Sequence, residues 1–491
     1  MDRTRALLLV MAFSLVVLTL SMLAGGAGAT KLELIHVLYS QQSPLYNDTL
    51  SDAQRLQLII GMDSARQHYL LDRRRRGGVA AGASSTSGSS KLATITSFWA
   101  ESPMESGAFL GLGQYLVSMA FGTPPQEVLL IADTGSDLIW LQCSTTAAPP
   151  AFCPKKACSR RPAFVASKSA TLSVVPCSAA QCLLVPAPRG HGPSCSPAAP
   201  VPCGYAYDYA DGSSTTGFLA RDTATISNGT SGGAAVRGVA FGCGTRNQGG
   251  SFSGTGGVIG LGQGQLSFPA QSGSLFAQTF SYCLLDLEGG RRGRSSSFLF
   301  LGRPERRAAF AYTPLVSNPL APTFYYVGVV AIRVGNRVLP VPGSEWAIDV
   351  LGNGGTVIDS GSTLTYLRLG AYLHLVSAFA ASVHLPRIPS SATFFQGLEL
   401  CYNVSSSSSL APANGGFPRL TIDFAQGLSL ELPTGNYLVD VADDVKCLAI
   451  RPTLSPFAFN VLGNLMQQGY HVEFDRASAR IGFARTECVA H

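Results

Sequence analysis

Leu129-Leu130-Ile131-Ala132-Asp133-Thr134-Gly135-Ser136 and Val357-Ile358-Asp359-Ser360-Gly361-Ser362 are two versions of one short text, far apart in a single chain. In each, an aliphatic run that reads as a buried strand delivers a carboxylate onto a tight turn at glycine. Two carboxylates presented in that way can face one another. Like-charge repulsion then keeps both from ionising together, so one proton is held between an acid and a base able to activate water. Asp133 and Asp359 are therefore the candidate catalytic pair.

A second echo supports the division into two related halves. Gly257-Val258-Ile259-Gly260-Leu261-Gly262 follows the first signature, and Val461-Leu462-Gly463-Asn464 follows the second. Around them the texture is short β-like runs separated by Gly, Pro, Ser and Asn: Gln114 to Met119, Glu127 to Ile131, Phe324 to Val330, Val357 to Leu367, Leu420 to Phe424 and Tyr470 to Phe474. Short strands at close spacing predict a mainly β protein, with Ala371 to Val383 the best helix candidate. The chain is too long for one small β-domain, so two lobes are expected, each supplying one carboxylate. The glycine-rich copy has the look of a nucleotide-binding fingerprint. Its Gly254-Thr255-Gly256-Gly257-Val258-Ile259-Gly260 spacing misses the third glycine by one place, and no βαβ pattern surrounds it.

The start of the chain speaks to compartment. Two arginines within the first five residues, an apolar run from Ala6 to Leu23 and the small residues Ala27-Gly28-Ala29 predict a secretory signal peptide over 1–29, with an uncleaved anchor as the alternative. Twelve cysteines then predict six disulfides, because an exported chain passes through an oxidising compartment. Cys153-x4-Cys158 and Cys177-x4-Cys182 can be misread as zinc pairs, but no well-placed histidines accompany them, and no metal or other cofactor is expected. Asn228-Gly229-Thr230 and Asn403-Val404-Ser405 are glycosylation acceptors, as is Asn47-Asp48-Thr49. The net charge of +6 owes much to Arg73-Arg74-Arg75-Arg76, a solvated linker or a processing site. No basic-aromatic stripe suggests nucleic acid. Residues 30–100, with the small polar run Ala80 to Ser90, read as a removable prosegment and flexible joint, or as a merely disordered arm.

Taken together, the two acidic signatures and their paired echoes resemble the pepsin-type aspartic proteases, from about Gln114 to Cys488. The insert carrying Cys143, Cys153, Cys158, Cys177, Cys182, Cys195 and Cys203, ahead of Tyr209-Ala210-Asp211-Gly212-Ser213, resembles the nepenthesin-like plant branch. No long saposin-like insertion interrupts the second half. The resemblance implies a bilobal fold, with an N-terminal lobe over 101–313, a C-terminal lobe over 314–491 and a cleft between them. It also implies bridges Cys143–Cys153, Cys158–Cys243, Cys177–Cys203, Cys182–Cys195, Cys283–Cys488 and Cys401–Cys447, with Cys143–Cys243 as an alternative to the first. Tyr209 matches the tyrosine of a mobile flap, whose Asp211-Gly212 suits a hairpin turn. Trp140 matches the residue that supports it, where a core aromatic is the plain reading. Ala210 stands where the family has glycine.

What the resemblance implies for function is peptide-bond hydrolysis by water between Asp133 and Asp359. Thr134 and Ser360 would bond across the lobes, Gly135 and Gly361 would form the turns, and Ser136 and Ser362 would orient the carboxylates; alone, these are small residues that suit a turn. The expected enzyme is a monomeric secreted endopeptidase made as a zymogen, with an acidic optimum and polypeptide substrates. It is extracellular, in the apoplast or cell wall, with the vacuole as the alternative, and holds no membrane after signal cleavage. The rival reading is a binding protein on the same scaffold, such as the plant glycosidase inhibitors, whose signatures are commonly damaged.

Overall fold

The computed structural model describes residues 100–106, 115–144, 163–185, 201–208, 213–226, 234–248, 255–285, 297–303, 309–389, 398–405, 415–453, 455, 458–486 and 488. The signal segment, the prosegment and its arginine run, Asn47, Asn228 and the hairpin tip Tyr209-Ala210-Asp211-Gly212 lie outside the described residues.

The strand Gln126–Asp133 is buried along its last six positions. Alternation sends Val128, Leu130 and Ala132 into one apolar cluster and Leu129 and Ile131 into another, so the strand separates two packed layers. A strand covered on both faces requires the unbroken aliphatic run that the sequence shows. It pairs antiparallel with Tyr115–Phe121, Leu116 opposite Ile131, and parallel with the echo strand Gly257–Gly260, Gly260 opposite Asp133. The second half repeats this arrangement. Thr356–Ile358 pairs antiparallel with Tyr325–Val327 and parallel with the echo strand Asn460–Leu462, Ile358 opposite Leu462. After each acidic turn the chain returns as a strand beside the echo: Trp140 faces Val258, and Tyr366 faces Val461.

The echo glycines have a steric cause. A Cβ on Gly260 would lie 2.3 Å from the Asp137 carbonyl oxygen, and one on Gly463 2.2 Å from that of Leu364. In both halves main chain crosses main chain just beyond the acidic turn, where only glycine fits.

Among the described residues, a run of six strands within the large sheet joins the halves. Its order is Ala100–Ser106, Phe298–Leu301, Thr279–Cys283, Tyr470–Asp475, Arg480–Arg485 and Ala311–Val316, antiparallel throughout. The central contact, Thr279–Cys283 against Tyr470–Asp475, pairs a strand of the first half with one of the second. Two four-stranded sheets complete the second half. The helix Leu369–Ser382 buries Ala371, Tyr372, Leu375 and Phe379 at helical spacing, close to its predicted place.

Some sequence expectations are corrected. Val357 to Leu367 is two strands, Thr356–Ile358 and Thr365–Leu367, because the acidic turn folds the chain between them. Phe324 to Val330 divides at Gly328 into Tyr325–Val327 and Val329–Val334, which enter different sheets. The pairing of the cysteine-rich insert also differs. Cys143 bonds Cys243, the alternative named above, rather than Cys153, so Cys158 does not bond Cys243. The strands Trp140–Ser144 and Ala234–Gln248 run parallel with Leu141 opposite Cys243, which brings the two Cα atoms to 5.2 Å. Cys182 bonds Cys203, replacing both Cys177–Cys203 and Cys182–Cys195. A short 3-10 helix, Ala180–Leu184, returns Cys182 to Cys203 with 5.7 Å between their Cα atoms, while Cys177 N–H is bonded to the Val201 carbonyl. Cys177 is itself bridged, to a cysteine outside the described residues, where Cys153, Cys158 and Cys195 lie. Cys283–Cys488 and Cys401–Cys447 form as expected.

Candidate active site

Asp133 ends its strand and Asp359 follows its own; both are buried, each 1 % exposed. Within each turn the carboxylate is held by the residues next to it. Asp133 Oδ1 accepts from Gly135 N–H at 2.9 Å and Oδ2 from Ser136 Oγ at 2.5 Å. Asp359 Oδ1 accepts from Gly361 N–H at 3.0 Å and Oδ2 from Ser362 Oγ at 2.6 Å. The two turns are chemical copies.

They are also cross-linked. Thr134 Oγ1 accepts from Ser360 N–H at 2.8 Å and donates to the Ile358 carbonyl at 3.4 Å. Reciprocally, Ser360 Oγ accepts from Thr134 N–H at 3.1 Å and donates to the Ala132 carbonyl at 2.9 Å. The residue after each aspartate is thus bonded to the residue before the other, so residues 133 and 359 sit side by side where the halves meet. All four of these groups are buried, where an unmade bond costs most.

The echo segments close the site from behind. Leu261 N–H donates to the Asp133 carbonyl at 2.8 Å, and Asp359 N–H donates to that of Leu462 at 3.1 Å. Asn464 Nδ2 donates to the Ser360 carbonyl at 3.0 Å. Deeper in, burial and then the negative charge of Asp359 push the Tyr282 phenol well above its ordinary range. It therefore stays protonated and donates to Gln467 Oε1. Sequence reasoning missed Asn464, Gln467 and Tyr282, and the only available signal was that Asn464 and Gln467 follow an echo glycine.

Trp140 is fully buried in one cluster with Tyr205 and Tyr207. Gly204–Asp208 and Ser214–Ile226 pair antiparallel as far as Asp208 opposite Ser214, which is the hairpin expected around Tyr209. Asn403 ends the strand Cys401–Asn403, partly exposed, with Oδ1 accepting from Ser405 N–H at 2.9 Å and Ser405 Oγ at 2.5 Å. Among the described residues no group of three or more His, Cys, Asp or Glu side chains is placed to hold a metal, and no helix is long and apolar enough to cross a membrane.

Two family models, described as xylanase inhibitor N-terminal and xylanase inhibitor C-terminal, match residues 115–303 and 324–485. Aspartyl protease family protein 2 of Arabidopsis thaliana is 36% identical over 390 residues, which is 79% of this chain and 73% of the relative. Aspartic proteinase nepenthesin-2 of Nepenthes gracilis is 34% identical over 394 residues, 79% of this chain and 81% of the relative. The chain belongs to the nepenthesin-like aspartic proteases of plants. As an aspartic protease of this branch it is an aspartic-type endopeptidase, a hydrolase acting on peptides. Its fold is shared with solved structures of lower identity. The crystal structure of edgp gives a TM-score of 0.61 at 22% identity, covering 80% of this chain and 96% of that one. Soybean Basic 7S globulin gives 0.57 at 20%, covering 79% and 97%.

Proposed function

We propose that Asp133 and Asp359 share one proton and hold the water that cleaves the peptide bond. The ionised carboxylate removes a proton from that water as its oxygen attacks the scissile carbonyl carbon, while the protonated carboxyl gives its proton to the carbonyl oxygen. Collapse of the tetrahedral adduct returns a proton to the pair, and the proton taken from water goes to the leaving amine. No covalent enzyme intermediate forms. Ser136 and Ser362 keep each carboxylate turned toward the shared site, and Thr134 and Ser360 fix the distance between the turns.

The observation that carries this reading is the reciprocal Thr134–Ser360 bonding, which brackets two identically held aspartates. Coupled carboxylates titrate as a pair, and only the singly protonated state is active, so the optimum is acidic. An extended peptide lies in the cleft, under a flap carrying Tyr209 and supported by Trp140 that closes to exclude bulk water. The chain is exported by its first 29 residues, acts as a monomer outside the cell, and is held inactive by residues 30–100 until they are cut away. Asn403, with its partly exposed strand end, and Asn228 carry glycans in that compartment.

Both acidic turns are intact and equally held, which supports catalysis over a binding role on the same scaffold. Pepstatin-sensitive cleavage of a denatured protein at acid pH tests the assignment. It is expected to vanish in Asp133→Ala and in Asp359→Ala; undiminished cleavage in either variant refutes it. A secreted precursor that is fully active while retaining residues 30–100 would refute the zymogen.

A further inference from the structure

The glycine-rich loop Gly260-Leu261-Gly262-Gln263-Gly264 is folded around one carboxylate. Asp137 directly follows Ser136, whose hydroxyl holds Asp133, and its Oδ1 accepts from Gly264 N–H at 2.8 Å. A Cβ on Gly262 would stand 2.4 Å from Asp137 Oδ1, and one on Gly264 2.5 Å from its Cγ. Glycine at both places is what lets the loop reach the carboxylate.

The other oxygen of Asp137 reaches into the second half. Oδ2 accepts from Thr323 Oγ1 at 2.6 Å. Around this contact the second half holds the same loop at four more points. Gln263 N–H donates to the Thr323 carbonyl at 2.9 Å and Gln263 Nε2 to that of Phe324 at 2.7 Å. Tyr325 OH donates to the Leu261 carbonyl at 2.8 Å, and Arg476 Nη2 to that of Gln263 at 2.9 Å. Thr323 runs directly into Tyr325–Val327, where Tyr325 stands opposite Ile358, the residue before Asp359. A short path of paired contacts therefore links the turn of Asp133 to the strand that delivers Asp359. It is one-sided: the place matching Asp137 in the second half is Thr363, which carries no carboxylate.

We infer that Asp137 is a positioning residue for the catalytic pair: by gripping Gly264 and Thr323 together, its carboxylate sets how the two aspartate-bearing halves are held against each other. The inference rests on the reading of Asp133 and Asp359 given above. The Thr134–Ser360 bonds fix the approach of the turns at one place, and the Asp137 contact, with the four loop bonds around it, adds a second on another line, opposing a rocking of one half on the other. A small error there changes the separation of the carboxylates, and rate is steep in such errors.

The test compares the full chain with Asp137→Ala, Asp137→Asn, Thr323→Val and Asp133→Asn on one peptide across the acid range. In Asp137→Ala, kcat falls about ten- to a hundred-fold with KM little changed. Carboxylates that have drifted apart repel less, so the two limbs of the pH profile approach each other and the bell narrows. In Asp137→Asn the amide oxygen takes the Gly264 N–H and the amide nitrogen donates to the Thr323 hydroxyl, so most of kcat and the full bell width are kept. Should the alanine variant fail to fold, Thr323→Val removes only the Asp137–Thr323 bond, leaving the four other contacts to the loop, and shows the same narrowing. Wild-type kcat and bell width in Asp137→Ala or Thr323→Val, an effect confined to KM, or an asparagine variant as impaired as alanine overturns the inference. An inactive Asp133→Asn beside an unaffected Asp137→Ala removes the strut alone, whereas an active Asp133→Asn removes the catalytic reading beneath it.

Discussion

Thr134 Oγ1 stands between two strands of different halves, accepting from Ser360 N–H and donating to the Ile358 carbonyl. Valine has the same shape and neither capacity. Thr134→Val leaves a buried N–H unpaired and is expected to lower stability by about 1–3 kcal/mol, read from the urea midpoint at unchanged slope, with a fall in kcat. A variant as stable and active as wild type would show that the cross-link is decorative. The carboxylate, turn glycine and orienting hydroxyl of each turn were legible in the sequence because they lie within four residues, whereas the bonding of Thr134 to Ser360, 226 positions away, followed only from the family resemblance. Asp137 was as close in sequence and still passed unread. Its partners, Gly264 and Thr323, lie 127 and 186 positions away, and nothing in the tetrapeptide announces them.

At the scale of elements, the echo strands earn their glycines by backbone contact. Gly463→Ala would drive a Cβ to 2.2 Å from the Leu364 carbonyl oxygen and 2.6 Å from that of Thr363, neither of which is a flexible side-chain end. A loss of about 3 kcal/mol or more is expected by urea denaturation, and Gly343→Ala, where nothing lies within 4 Å of the added carbon, serves as the near-neutral control. Equal effects of the two substitutions would contradict the packing argument. Strand and helix positions were readable because aliphatic runs and helical spacing follow directly from which faces are buried. Two features were not. The run Val357 to Leu367 reads as one strand although the acidic turn Asp359 to Ser362 lies inside it, and the apolar residues on both sides of that turn mask the break between Thr356–Ile358 and Thr365–Leu367. The bridges of the cysteine insert depend on strand register, Leu141 against Cys243, which spacing along the chain does not encode.

On the scale of the whole molecule, the sheet joining the halves carries a buried histidine. His471 bonds Ser281 across the central strand pair at 2.8 Å and lies among Phe298, Phe300 and Phe310. Burial lowers its pKa from 6.5 to about 4. Between those values the unfolded chain binds more protons than the folded one, so stability rises with pH: the full contribution is present above about 6.5 and is lost as pH falls to about 4. The shift corresponds to about 3 kcal/mol. His471→Gln, which keeps a partner for Ser281, is expected to flatten stability against pH in that window; an unchanged slope would contradict the assignment. Asp475 opposes nothing there. Burial raises its pKa, but the hydrogen bonds from Ser478 and Arg480 outweigh this and hold it below 3.8, so its contribution is lost only at lower pH. The central sheet thus carries one limit on how acid the protein's surroundings can be. Whether Asp133 and Asp359 act as a pair sharing one proton is read from the dependence of kcat/KM on pH for one defined peptide. A shared proton gives a bell with both limbs on the acid side of neutrality in the wild type, and no measurable rate at any pH in Asp133→Asn or Asp359→Asn; a single-limbed profile peaking at neutral pH, or a surviving bell in either variant, would overturn the pairing.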